Sequence, residues 1–482
     1  MFSSIKSSIL SRLVLRPPVE EDPRLLSSKQ KTIILLCLAL VASTPGFSST
    51  IYFPGIPIIT EDLHATPIAT TLTAALFVLF IGIAPVFWAS LSDHYHVRRF
   101  PTIISIIIFI AASLGSAFVN NIWALVVLRC VQSVGSSCGQ AIGPGVISDC
   151  YPLEKRGAAF GKFFFGVFIG PMVGPVIGGL LIISRESWRA AFLFCFAFGV
   201  FIFIMYFIFV PETHRDSKKF DVQLPTEASC EQNMEGSTIS MNDHSNEKTN
   251  ATIGGKKSLN LFTPFLMLRH PFVFLAAFVS GIAFGSMFAV ETIIPNIYES
   301  RYGFNSWQIG LSFLGAGIGN GLGTIANGYL SDRLLLRARS KRGYARAEDR
   351  LTINLWPAGL IFMPAGQLLF GWITERNLSV WAAIVGFGMQ CFGMIQLSTA
   401  TSAYLVDTMP SRSASAAAAT NFVRMATACV LTLVANPLVE SIGPGYTTVL
   451  LASLAWLSMA ALFVLVKWGA ELRRWSGFVE SN

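Results

Sequence analysis

Leu91-Ser92-Asp93-His94-Tyr95-His96-Val97-Arg98-Arg99 closes an apolar run that begins at Pro67. Much later, Gly328-Tyr329-Leu330-Ser331-Asp332-Arg333 closes another, which begins at Ile309. A second pair repeats in the same order: Asp149-Cys150-Tyr151-Pro152 follows one apolar run and Asp407-Thr408-Met409-Pro410 another. Two motif pairs, each ending a hydrophobic segment, read as two related halves of one chain.

Just over half of the residues are apolar and only 13% are charged, whereas soluble domains carry roughly 25%. The deficit runs along the chain, so lipid is the solvent for most of it. The eight cysteines, Cys37, Cys130, Cys138, Cys150, Cys195, Cys230, Cys391 and Cys429, show no CxxC spacing and fall mostly inside apolar runs. That pattern indicates neither a disulfide framework nor a metal site. Gly254-Gly255-Lys256-Lys257 lacks the spacing of a phosphate loop, and HExxH is absent. Enzymatic and ATP-driven chemistry, cofactors and metals are therefore not expected. Paired halves with midplane sites are a mark of secondary transporters.

Counting runs long enough to cross a bilayer, about 20 residues each, gives twelve. The first six are Thr32–Phe53, Pro67–Leu91, Pro101–Val119, Ile122–Ile147, Ala158–Ile183 and Ala190–Val210. The second six are Phe272–Ile294, Ile309–Leu330, Leu351–Ile373, Val380–Leu405, Ala414–Leu438 and Tyr446–Val466. The expected fold is an all-α membrane protein, twelve transmembrane helices in two pseudo-symmetric six-helix bundles. The expected organisation is a cytoplasmic tail 1–31, a bundle 32–210, a linker 211–271, a bundle 272–466 and a cytoplasmic tail 467–482. Residues 217–258 are rich in Ser, Asn, Lys and Glu and read as a disordered linker. Leu261 to Leu268 reads as a short amphipathic helix on the membrane surface.

Basic residues orient the chain. Arg98, Arg99, Lys155, Arg156, the cluster from Arg333 to Arg350, Arg412, Lys467, Arg473 and Arg474 fall on one side; Arg185, Arg189, Arg301 and Arg376 fall on the other. Positive residues collect in the cytoplasm, which puts both termini inside and accounts for the net charge of +8 without nucleic acid. Trp123, Trp188, Trp307, Trp372 and Trp381 fall near outer ends, as an interfacial belt would.

Four features carry candidate chemistry. Arg129 and Gln132 share a face of the fourth span, about a third of the way in from its outer end. A charge there costs roughly 2.5–3.5 kcal/mol at a helix centre. The face reads as cavity lining, or as a structural Arg holding carbonyls of a neighbouring helix. Glu291 is the only acid inside an apolar run, hence a proton-site candidate. Its span reads as ending at Ile294, near the outer mouth, so a solvated surface Glu is the other reading. Asn421 and Arg424 form a similar polar stripe in the eleventh span, lining a cavity or bonding across helices. The fifth span reads Gly170-Pro171-Met172-Val173-Gly174-Pro175-Val176-Ile177-Gly178-Gly179: glycines four apart permit close helix approach, and prolines remove backbone donors and favour a kink.

These motifs resemble the major facilitator superfamily, specifically its fungal drug–proton antiporters of the quinidine-resistance and dityrosine-exporter branch. The Asp93 loop resembles the superfamily pattern G-x-L-a-D-R-x-G-R-R, with Ala89 at the first Gly and His94 at the first Arg. Leu125, Arg129, Gln132 and Gly135 resemble L-x-x-x-R-x-x-Q-G-x-G, and the fifth span resembles the antiporter signature. The resemblance implies cytoplasmic latches at Asp93, Arg98, Arg99 and Asp149 and at Asp332, Arg333 and Asp407. It also implies that Arg129 aids proton coupling and that Gly170, Pro171, Gly174, Pro175, Gly178 and Gly179 form a bendable seam. The implied function is proton-gradient-driven export of lipophilic or cationic small molecules such as drugs, polyamines or modified amino acids, by a monomer in the plasma membrane. Internal or prospore membranes also fit, as do a facilitative uniporter and a non-transporting receptor.

Overall fold

The computed structural model describes residues 22–184, 186–215, 263–343, 346–409 and 413–477. Among them every regular element is helical. In the first half, α1 is Ser28–Thr50, α2 Pro67–Tyr95, α3 Arg99–Ala117, α4 Ile122–Cys150, α5 Leu153–Leu181 and α6 Arg189–Phe209. In the second, α7 is Pro271–Tyr302, α8 runs as Ser306–Ser312 and then Leu314–Arg342, α9 is Leu355–Glu375 and α10 Val380–Thr408. Ser413–Trp475 is a 63-residue helical stretch, which as one rod would be about 95 Å long, three times the ~30 Å hydrocarbon core. It breaks at Gly443, whose φ of 81° and ψ of 162° are non-helical. The two pieces, 413–442 and 444–475, are α11 and α12. Among the described residues the spans therefore number twelve, as the apolar runs indicate.

Local chemistry starts and stops these helices. Ser27 and Gln30 form a capping box at the start of α1, Asn305 and Gln308 another before α8, and the Asn121 side chain caps α4. α2 ends at His96 and α7 at Gly303, both left-handed. Several helices outrun their apolar cores: α1 begins at Ser28 and α12 runs to Trp475. Polar residues continue a helix past the hydrocarbon edge, so boundaries read from hydropathy fall short.

The halves are built alike. α1 packs on α5, α2 on α4 and α3 on α4 and α6; α7 packs on α11, α8 on α10 and α9 on α10 and α12. Both described chain ends and residues 211–215 lie on one side, here the terminal face; the other is the far face. Between α6 and α7 stands a one-turn helix, Thr263–Met267. Phe265 meets the Phe422 ring of α11 at 4.9 Å, and Met267 is buried. This segment packs on the second bundle; residues 261–262 and the linker 216–262 lie outside the described residues. Trp188 departs from the interfacial belt: it is 1% exposed, with Nε1 donating to Asp62 at 2.9 Å.

Candidate coupling and substrate site

The halves meet along two seams, α2 against α11 and α5 against α8. Both seams are tight toward the far face. On the α2–α11 seam Asn436 donates to Thr71 at 3.0 Å near the far face, and the contact continues to mid-height, where Asn421 donates to the Ile81 carbonyl at 3.3 Å and a β-carbon on Gly82 would stand 2.7 Å from Met425. On the other seam, a β-carbon on Gly179 would stand 2.5 Å from Ser306 O and 2.9 Å from Trp307 Cα. Between the seams Phe53 stacks on Phe313 and meets Phe288 edge-on. Toward the terminal face, Gly161 on α5 and Gly321 and Gly328 on α8 have open space around them. The bundles are thus sealed at the far face and splayed at the terminal face.

Arg129 is 1% exposed. Its Nη1 donates to Ser48 O at 3.0 Å and to Gln132 Oε1 at 2.7 Å, and Gln132 donates on to Ser113 at 2.8 Å. The guanidinium lies 4.0 Å from the Phe77 ring centroid, 4.8 Å from Tyr52 and 5.8 Å from Phe192. Desolvated cation–π contacts are worth ~2 kcal/mol, so two close rings and two hydrogen bonds offset the ~2.5–3.5 kcal/mol cost of membrane insertion. Arg129 and Gln132 are therefore enclosed within the first bundle, and of the two readings open from sequence, cavity lining or an Arg holding a neighbouring helix's carbonyl, the Ser48 O contact fits the second. Side chains from α1, α2 and α6 close over that face.

Glu291 is also enclosed. α7 continues through Pro295 to Tyr302, which puts Glu291 eleven residues, about 16 Å, below the far end of its helix. This corrects the near-mouth position expected from sequence; proline within a membrane helix is tolerated where neighbours pack it, and Pro295 is buried. Glu291 is 5% exposed, and Oε2 has no hydrogen-bond partner among the described residues. Arg424 on α11 is half-buried, with Nη2 donating to Asn421 at 2.6 Å and the guanidinium 4.9 Å from the Phe284 centroid.

At the terminal face Arg98 binds Asp93 at 2.7 Å and Asp149 at 3.2 Å, joining α2, the start of α3 and the end of α4. The two carboxylates more than offset the burial that opposes its charge, and raise its pKa. Glu212 accepts from the backbone N–H groups of Arg98 and Arg99, and Arg99 Nη2 donates to Phe207 O. All of these partners belong to the first half. In the second half Arg350, just before α9, binds Asp407 of α10 at 2.6 Å, which repeats the Arg98–Asp149 arrangement. Arg333 stands over the Tyr329 ring at 3.8 Å, so Arg350 and not Arg333 pairs with Asp407. The side chain of Asp332 lies outside the described residues.

Two six-helix halves joined at α2–α11 and α5–α8 are matched by a sequence comparison: residues 38–432 fit the model of the Major Facilitator Superfamily. The chain belongs to the Major Facilitator Superfamily. Relatives include the MFS transporter fsa7 of a Fusarium species, 30% identical over 95% of this chain and 88% of its own length. MFS-type transporter phiD of a fungal species is 28% identical over 92% and 69%. The MFS antiporter QDR3 of Candida albicans is 25% identical over 97% and 82%. Among solved structures, a bacterial homolog of the human lysosomal transporter Spinster, described as inward-facing and unoccupied, superposes with a TM-score of 0.62. It is 15% identical and covers 92% of this chain and 98% of its own. The protein is thus a multi-pass integral membrane transporter of a non-enzymatic superfamily.

In this superfamily member the glycines of the fifth span are packing surfaces. Gly166, Gly170, Gly174 and Gly178 press on α1 from Ala39 to Ile51; a β-carbon on Gly170 would stand 2.6 Å from Ser43 O. Gly179 and Pro175 turn to α8, meeting Ser306 and Gly310. α5 carries Pro171 and Pro175 within a single helical segment, Leu153–Leu181. The close fit to α1 holds the helix where proline has removed donors. Sequence reasoning missed Gln367 on α9 and Gln390 on α10, whose side-chain amides are fully buried and without partners among the described residues. Each is an amide inside a mainly apolar run, a signal that the sequence carries.

Proposed function

We propose that this protein exports lipophilic small molecules by alternating access, in exchange for protons, working as a monomer with both termini in the cytoplasm of the plasma membrane. Arg98, Arg99, Arg156, Arg350, Lys467, Arg473 and Arg474 stand toward the terminal face and Arg189, Arg301 and Arg376 toward the far face, a distribution that supports a cytoplasmic terminal face. In that orientation the conformation is inward-facing, ready to load from inside.

The observation that carries the proton coupling is Glu291. A carboxylate buried in hydrocarbon without a contacting cation bears a large desolvation cost, and one proton removes it without altering the packing. Glu291 would load its proton when the far face opens and release it when the terminal face does. The QDR3 relative is named an antiporter, which supports exchange.

The test is purified protein in vesicles under an imposed pH gradient, assayed with a panel of lipophilic dyes. Wild-type flux should rise with the gradient, and Glu291→Gln should lose that dependence at normal protein level. Flux indifferent to the gradient would make the protein a facilitative carrier; binding without flux would make it a receptor. Fluorescent tagging checks the membrane, with internal or prospore staining counting against the plasma membrane.

A further inference from the structure

Apart from helix-end clusters and the exposed Lys162, the described spans carry two cations, Arg129 and Arg424, and one acid, Glu291. Arg129 and Glu291 flank Tyr52 and Phe53: the guanidinium lies on the Tyr52 ring, while Phe53 meets Phe288, one turn from Glu291. Among the described residues no ion pair joins either arginine to Glu291; Arg129 is closed in by aromatic rings, whereas Arg424 stays partly exposed. No carboxylate among the described residues pairs with it, and its Nε–H has no acceptor there.

Its position is set by its neighbours on α11. Asn421 and Met425 face α2, while Val423 and Thr427 face Gly281 of α7. At 100° per residue, Arg424 points into the angle between α2 and α7, the crevice between the two halves. It is eleven residues from the start of α11, about 16 Å, hence near the bilayer midplane. Gly285 packs on Thr427 and Ala428, and Asn296 meets Asn436, so Glu291 lies level with Thr432. That is eight residues, about 12 Å, closer to the far face than Arg424. Phe284 covers one side of the guanidinium, and Asn421, itself anchored to Ile81 O across the seam, fixes its angle.

We infer that Arg424, oriented by Asn421, binds an acidic group of the substrate, so that the transported molecules are lipophilic anions such as carboxylates. A guanidinium offers paired N–H donors to a planar anion, and Phe284, Ile81 and Met425 offer an apolar wall to the rest of the molecule. This narrows the lipophilic or cationic class expected from sequence and rests on the export reading above. It also fits exchange. With the anion bound, two cations face two anions while Glu291 is ionised, so the loaded carrier is balanced without a proton. The empty carrier, with Glu291 protonated, carries its excess positive charge inward, the direction that an inside-negative potential favours.

The test uses full-length protein in lipid nanodiscs and three fluorescent probes on one scaffold: dansylaminoundecanoic acid, its methyl ester and the corresponding amine. The acid should bind saturably and at least about tenfold more tightly than the other two, and Arg424→Gln should erase the difference. Should Arg424→Gln not fold, Arg424→Lys and Asn421→Ala serve: both should weaken acid binding several-fold, with Arg424→Lys keeping the preference for acid. Equal binding of the three probes, or acid binding untouched by these substitutions, overturns the inference. Because binding needs no gradient, acid-selective binding alongside gradient-independent flux would sink the exchange reading and leave this one standing.

Discussion

The ring of Phe53 lies parallel to that of Phe313, with planes 2° apart and centroids 6.1 Å apart, and the two residues belong to different halves. Phe53 follows α1 of the first bundle and Phe313 lies within α8 of the second. Both are fully or almost fully buried. The stack therefore exists only while the far face is shut, and it must separate for substrate to leave that way.

Phe53→Ala should shift the protein toward a far-face-open state. Aromatic pairs contribute about 0.5–1.5 kcal/mol beyond their buried area, so the open-to-closed ratio should rise roughly two- to twelve-fold from the lost stack alone. Spin-label distances between the far-face positions Glu61 and Leu378 would report it. An unchanged distribution would mean that the seams alone hold the face shut.

Gly179→Val should open the α5–α8 seam, because its β-carbon would meet the backbone of Ser306 and Trp307, which has little room to yield. The control is Gly161→Ala on the same helix, where nothing lies within 4 Å. There the substitution should stabilise by up to ~1 kcal/mol through helix propensity. Thermal unfolding in detergent and the same spin-label pair separate the two outcomes.

Arg350→Gln and Asp407→Asn should produce the same transport defect, and the double variant should be no worse than either. Both side chains are about a third exposed (31% and 32%), so the stability effect should be under ~1 kcal/mol even where flux suffers. Arg333→Gln should be mild by comparison. A double variant whose defect equals the sum of the two would show that the residues act separately.

Arg129→Lys should lose transport while inserting normally. Lysine keeps the charge but not the planar stack on Phe77 and Tyr52, nor a fork able to reach Ser48 O and Gln132 together. A loss of about 2 kcal/mol in stability is expected, read as a lower unfolding midpoint. Unimpaired flux with a lowered midpoint would make Arg129 purely structural.

At the terminal face Asp22 binds Arg215 at 3.1 Å, tying the N-terminal segment to the residues after α6. Burial opposes the carboxylate's charge, but hydrogen bonds from Arg215 and the Arg24 N–H outweigh it and hold the pKa below the ordinary value. A lowered carboxyl pKa stabilises fully above the unfolded value, about 3.9, and that stabilisation fades as pH falls through the folded value. Protection of this segment from protease should thus be constant from pH 8 to about 5, and Asp22→Asn should weaken it throughout that range. A loss of protection already near pH 6 in the wild type would contradict the assignment.

Much of this protein is legible in its sequence because lipid imposes a strict local rule: each span must satisfy its own backbone and present apolar side chains. That rule exposed the spans, the repeated halves and Glu291 as the lone acid within them. It could not say which of the many phenylalanines would meet across the halves, because Phe53 and Phe313 are brought together by the docking of two bundles. Nor could it choose Arg350 over Arg333 for Asp407, since an ion pair depends on where a loop returns, not on spacing along the chain. Arg129 and Arg424 look alike as isolated cations in apolar runs. Only the packing encloses the first among aromatic rings and leaves the second facing the crevice, because burial is a property of neighbouring helices rather than of a residue's own segment.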